Sequence, residues 1–226
     1  MKKNMFLLAI GFFCCIISTK AQTGTGRWIS LFDGKTLNGW RAVQKDTLPA
    51  KAWSVENGTV VFDPAKGHGG DIITTRSFGD FDLSVDFKVS EGGNSGIKYF
   101  LLPNTSLGCE YQIIDDSKHP DAKLGIKGNR KTASLYDLIA ANPDKPYKGA
   151  GVWNTARIVS KGNHVEHWLN GTKVLEYERG SDAFKQAIAD SKFKNTEGFA
   201  TVTSSPILLQ AHGDKVAYRN IKIKEL

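Results

Sequence analysis

Alternation of apolar and polar positions organises most of this chain. "DFDLSVDFKVS" sets Phe81, Leu83, Val85, Phe87 and Val89 on one face and Asp80, Asp82, Ser84, Asp86 and Lys88 on the other. A period of two predicts a half-buried strand. "SGIKYFLL", "CEYQII", "TARIVS", "HVEHWLNGTKVLEYE", "ILLQAHG" and "VAYRNIKIKEL" read as further strands. Asn170-Gly171 between two of those runs predicts a tight hairpin, because both residues accept positive φ. The clearest helical pattern is "SDAFKQAIADSKF": Ser181 can cap it, and Phe184 and Ile188 lie four apart for docking. A short helical turn is also expected from Leu135 to Ala141, stopped by Asn142-Pro143. Many short strands with Gly-rich turns and little helix predict an all-β fold, an antiparallel two-sheet sandwich with one short helix.

The ends and the charge refine that picture. "MKKNMFLLAIGFFCCIISTKAQ" has a basic start, an apolar stretch from Met5 to Ile17 and a small-residue exit, the pattern of a signal peptide over residues 1–21 cut after Ala21. The expected location is therefore periplasmic or secreted. The apolar stretch is short for a membrane span, and bulky Phe13 before Cys14 and Cys15 argues against a lipid anchor. Residues 22–226 then form one domain, with no repeat or linker to divide them. Losing Lys2, Lys3 and Lys20 lowers the formal charge from +7 to +4, and no basic run suggests nucleic acid. Cys109 is left alone and reads as a small buried hydrophobe. The Gly-rich stretches "KGHGGD" and "EGGNSG" open no helix, so a phosphate cradle has no support.

Several fragments together carry a family resemblance: "WISLFDGKTLNGW", "DFDLSVDFKV", "NSGIKYF", "CEYQIIDD", "WNTARIVSKGNHVEHWLNG" and "ILLQAHGDKVAYRNIKIKEL". In this order, from Trp28 to Leu226, they resemble the 3-keto-disaccharide hydrolases and 3-keto-glucoside 1,2-lyases, some with 3-keto-2-hydroxy-glucal hydratase activity. The resemblance implies a concanavalin A-like jelly roll. It also implies a 3-keto-glycoside substrate, made by a separate oxidoreductase, with no organic cofactor.

The chemistry such a substrate needs can be matched to residues. A C3 ketone acidifies the C2 hydrogen, so one base, a group at the ketone oxygen and an acid near the leaving oxygen suffice. In a regular β-strand over "CEYQII", Glu110 and Gln112 share a face, and a bulge at Ile113-Ile114 would turn Asp115 to join them. That spacing is similar to the acidic strand of sandwich glucanases, with amide for acid at the middle position. Glu110 and His212 are expected to do the acid and base work. Asn94, Lys98, Gln112, Tyr136, His167 and Arg219 are the expected substrate contacts. Arg219 shares parity with Ala217, Ile221 and Ile223, which sets it on the apolar side of the last strand, and its other reading there is an ion pair with Glu110 or Asp86. For His167 the other reading is a packed strand histidine. Tyr136 and Trp153 offer rings for a pyranose, or for the core. Asp115, Asp116 and His119 could hold a divalent ion, or form only a solvated loop. Two rival functions stay open here: a conventional glycosidase using Glu110 and Asp115, and a carbohydrate-binding module.

Overall fold

The structure is a computed structural model that describes residues 26–49 and 51–226; the expected signal segment lies outside the described residues. Thirteen strands are described: β1 (Ile29–Ser30), β2 (Trp40–Ala42), β3 (Trp53–Glu56), β4 (Thr59–Phe62), β5 (Ile72–Thr74), β6 (Phe81–Val89), β7 (Asn94–Tyr99), β8 (Cys109–Ile114), β9 (Asn154–Lys161), β10 (His164–Leu169), β11 (Thr172–Glu178), β12 (Leu208–Leu209) and β13 (Val216–Glu225). They form two antiparallel sheets. The larger runs β11-β10-β9-β6-β13-β4-β3, with β1 also on β13, and the smaller runs β2-β5-β12-β7-β8. No described helix is long and apolar enough to cross a membrane.

The alternation read from β6 appears as a physical inside and outside. Phe81, Leu83, Val85, Phe87 and Val89 are buried between the sheets, with Tyr99 and Tyr111 from the small sheet and Tyr218 from β13. Each such side chain contributes about 2–3 kcal/mol through burial. Asn170 and Gly171 both have positive φ, 48° and 85°, as the β10–β11 hairpin requires. The helix α1 spans Asp182–Ala189, and the Ser181 hydroxyl accepts the Phe184 N–H at 3.2 Å. Phe184 stacks on Tyr177 at 5.2 Å between ring centres. Cys109 is fully buried, and burial pushes its thiol up to about 12, so it is no nucleophile.

Three sequence expectations are corrected. Residues 135–141 form turns, in which Leu135 bridges both Tyr111 and Ile139, rather than a helical turn. The expected bulge in β8 does not occur, because β7 and β8 pair without a shift from Asn94–Ile114 to Tyr99–Cys109. The third correction concerns Arg219. The register of β13 shifts between Arg219 and Lys222, and Asn220 takes a φ of 51°. That extra residue puts Tyr218 and Ile221 both inside and turns Arg219 out.

Two excursions shape the outer face of the small sheet. Residues between β8 and β9 fold back along β8 and satisfy its free edge. Gln112 N donates to Ser134 O (3.1 Å), Ala133 N to Gln112 O (2.8 Å) and Tyr136 N to Glu110 O (3.0 Å). From the other direction, the segment after α1 brings Ser191, Lys192 and Phe193 to the same place. The Lys192 N–H donates to the Asp137 carboxylate at 2.8 Å, and Phe193 stacks on Phe199 at 4.3 Å.

Candidate active site

A pocket of about 90 Å³ sits where these two excursions meet the outer face of β7 and β8. Its floor is polar because alternate residues of those strands point away from the core: Asn94 and Lys98 from β7, Glu110 and Gln112 from β8. Gly96 lies between the first two, and a Cβ there would come within 2.3 Å of Glu110 Oε1. Only a glycine lets the Glu110 carboxylate lie across β7. Gln210 and His212, which follow β12, close one side. Tyr136 and Phe193 supply rings, and Lys192 closes the opposite wall. Larger clefts of about 470 and 620 Å³ lie elsewhere, one among surface lysines and one on the outside of the large sheet. Neither gathers Glu110, His212 and their neighbours.

Glu110 is the only carboxylate lining the pocket among the described residues. It is buried, and burial raises its pKa above the ordinary carboxylate value, while Lys98, Lys192 and His212 pull it part of the way back. Lys98 Nζ stands 3.4 Å from Glu110 Oε2 and donates to Ser106 O at 3.3 Å. Lys192 Nζ lies 4.2 Å from the Tyr136 ring centre, and desolvation lowers its pKa against the opposing pull of Glu110. Three buried amide oxygens have no hydrogen-bond partner among the described residues: Asn94 Oδ1, Gln112 Oε1 and Gln210 Oε1. All three residues line this pocket. Buried acceptors left unpaired are costly, so a site that keeps three is built to receive donors.

Of the residues expected from sequence, the fold brings together Asn94, Lys98, Glu110, Gln112, Tyr136 and His212. It places the others apart. His167 lies fully buried between the sheets, where its Nδ1 donates to Ala133 O (2.9 Å) and its Nε2 accepts from the Tyr99 hydroxyl (2.6 Å). Burial pushes its pKa down to about 4, so it is a neutral core histidine out of a substrate's reach. Arg219 is on the outside of the large sheet, 3.4 Å from Asp86 and 4.1 Å over Trp153, which is therefore also away from the pocket.

The expected metal trio is not assembled. Asp115 turns from the strand to accept N–H groups from Gly92, Ser117 and Lys118, and Asp116 is taken by Thr132 N and Lys145 Nζ. His119 instead meets His212 and Asp214, their ligand-type atoms lying within 4.8 Å of one another. Its Nδ1, however, accepts the Asp121 N–H at 3.1 Å. Its Nε2 stands 3.9 Å from an Asp214 carboxylate oxygen. Lys192 was missed from sequence, since a lysine after a helix carries no periodic signal.

A family profile described as the 3-keto-alpha-glucoside-1,2-lyase-like domain matches residues 27–224. This chain belongs to that family. It is similar to a 3-keto-disaccharide hydrolase of Bacteroides thetaiotaomicron, at 38% identity over 88% of this chain and 78% of that protein. A solved structure from Parabacteroides distasonis, described as a candidate glycosyl hydrolase, superposes with a TM-score of 0.78 at 31% identity, over 88% of this chain and 94% of that one. The fold also matches a beta-glucanase of Bacillus licheniformis, with a TM-score of 0.50 at 13% identity over 91% of this chain and all of that one. That last likeness concerns architecture alone, and it agrees with the jelly roll expected from sequence.

Proposed function

We propose that this protein cleaves the glycosidic bond of 3-keto-glycosides by removing the C2 proton and expelling the C1 substituent. The observation that carries this reading is the single carboxylate in the pocket. A conventional glycosidase needs two carboxyl groups, about 5 Å apart when retaining and further when inverting. Asp115, the expected second acid, is occupied capping its own turn. A 3-keto sugar removes that need, because its ketone makes the C2 hydrogen acidic.

Glu110 is the base. A carboxylate whose pKa is raised by burial is a stronger base than an ordinary one and releases its proton less readily to water. Lys98 holds it in place. The C–H electron pair moves into a C2–C3 enolate, which then forms the C1–C2 double bond as the C1–O bond breaks. Glu110 returns the proton to the leaving oxygen, and His212 at the rim serves water adding to the glucal. Asn94, Gln112 and Gln210 receive sugar hydroxyls on their unpaired oxygens. The similarity to the Bacteroides thetaiotaomicron 3-keto-disaccharide hydrolase supports a carbohydrate substrate of this class. The substrate presupposes a separate dehydrogenation of the C3 hydroxyl.

The test is an NMR time course with 3-keto-trehalose and with unoxidised trehalose. Release of glucose together with a 2-hydroxy-3-keto-glucal, from the keto sugar alone, is the expected result. Turnover of the unoxidised sugar would overturn it in favour of direct hydrolysis.

A further inference from the structure

Two lysines flank Glu110, but their situations differ. The Lys98 ammonium is committed to protein acceptors, the Glu110 carboxylate and the Ser106 carbonyl. The Lys192 ammonium has no carboxylate or carbonyl within bonding distance among the described residues; it rests over the rings of Tyr136 (4.2 Å) and Phe193 (5.1 Å). Its backbone is nevertheless fixed. Ser191 and Phe193 on either side are buried, and the Lys192 N–H is held by Asp137, whose other oxygen takes Arg130 Nε at 2.6 Å. The pocket thus offers one cation with free N–H donors, an exposed side chain on an anchored backbone, beside unpaired neutral acceptors. That balance suits a neutral polyol on which one oxygen gains negative charge during reaction.

We propose that Lys192 is a catalytic residue that receives the substrate's C3 oxygen and stabilises its charge in the enolate. The inference rests on the elimination reading above. As the proton passes from C2 to Glu110, the electron pair left behind delocalises onto the C3 oxygen, which the Lys192 ammonium meets. When the C1–O bond breaks, the pair moves on to C1–C2 and the oxygen becomes a ketone again. A donor aimed at charge present only in the transition state and intermediate acts on kcat more than on KM. The aromatic seat holds the ammonium at the pocket wall with no ion-pair partner within bonding distance among the described residues.

The groups facing Lys192 are Glu110 from β8, Lys98 from β7, Arg130, Tyr136 and Asp137 from the excursion after β8, and His212 beyond β12. Desolvation, with Lys98 and Arg130, outweighs Glu110 and Asp137 in setting its proton affinity below that of a free lysine. Activity should therefore fall on an alkaline limb centred below the ordinary lysine value of about 10.4.

The experiment follows C2–H exchange and cleavage of 3-keto-trehalose in D2O with wild type, Lys192→Met and Lys192→Arg. Folding of each is checked by thermal melting. Lys192→Met should lose about 10²-fold in kcat with KM changed little. Lys192→Arg should keep part of the rate and lack the alkaline limb. A Lys192→Met rate within threefold of wild type, or an unchanged limb in Lys192→Arg, overturns the assignment while leaving the elimination reading intact. No exchange or cleavage by wild type overturns both.

Discussion

Gly96→Ala tests the site through the smallest available change. Gly96 lies opposite Gln112 on β8, and the Glu110 side chain is folded over it. An added Cβ would stand 2.3 Å from Glu110 Oε1, 2.9 Å from Cδ and 3.0 Å from Cγ. Ordinary contact begins near 3.4 Å, so the carboxylate has to retreat by about 1 Å. The atoms in the way are the end of a flexible side chain, so the strand itself can stay. Alanine also recovers about 0.5–1 kcal/mol of the cost of glycine in a strand, which leaves the melting temperature near that of wild type. A 1 Å displacement of the base costs about 10²-fold in rate. The assay is kcat on a 3-keto-disaccharide alongside a thermal melt. In the double variant with Glu110→Gln, Gly96→Ala should add nothing, because no carboxylate remains to displace. A Gly96→Ala protein that melts like wild type and turns over within threefold of it refutes the placement of Glu110 as base.

Glu110→Gln should lower kcat by about 10²–10⁴-fold. Its stability effect has a definite sign: the folded pKa is raised, so the folded state holds a proton that the unfolded state releases, and wild type loses stability as pH rises above the ordinary carboxylate value. The glutamine variant should gain on wild type over that rise, as melts at pH 3.5 and 7 will show. Wild type should also weaken in mild acid through His167, whose folded pKa of about 4 lies below the unfolded value of about 6.5. About 3 kcal/mol present above pH 6.5 is lost as pH falls through 4, and His167→Phe should flatten that slope in a denaturant titration while lowering stability at pH 7. Arg219→Ala should leave kcat and KM within twofold and cost less than about 1 kcal/mol. Its ion pair is half exposed, and Asp86 keeps bonds from Thr155 and Asn220.

Legibility from sequence followed burial. β6 was plain because one face meets the core and the other does not. β8 is buried along its whole length, so its alternation says which residues face the core but not that the other face is a closed pocket. Glu110 and Gln112 were placed correctly by parity, whereas Asp115 was expected on that face through a bulge that continuous pairing with β7 forbids. On β13 the error had a visible cue. The apolar positions Val216 and Tyr218 are followed by Ile221 and Ile223, a change of phase at Asn220, a residue type that tolerates positive φ. His167 shares the parity of Val165 and Leu169, which places it inward by the same rule that placed Glu110 outward. Lys192 had no cue at all, because its position depends on how the segment after α1 packs against the excursion after β8.

That packing also accounts for the chemistry. A carboxylate on the outer face of a two-sheet sandwich is normally solvated and titrates as an ordinary acid. Here Tyr136 arrives because Tyr136 N bonds to Glu110 O, and Lys192 arrives because its own N–H bonds to Asp137 one residue further on. The excursion that covers the edge of β8 therefore carries both the ring beside Glu110 and the carboxylate that fixes the second lysine. Covering the strand edge and raising the proton affinity of Glu110 are two results of one segment. A change that frees that segment, such as Asp137→Ala, should lower the Glu110 pKa towards the ordinary value and cost rate; because Ala133, Leu135 and Tyr136 of the same segment pack into the core, it should lower the thermal midpoint as well.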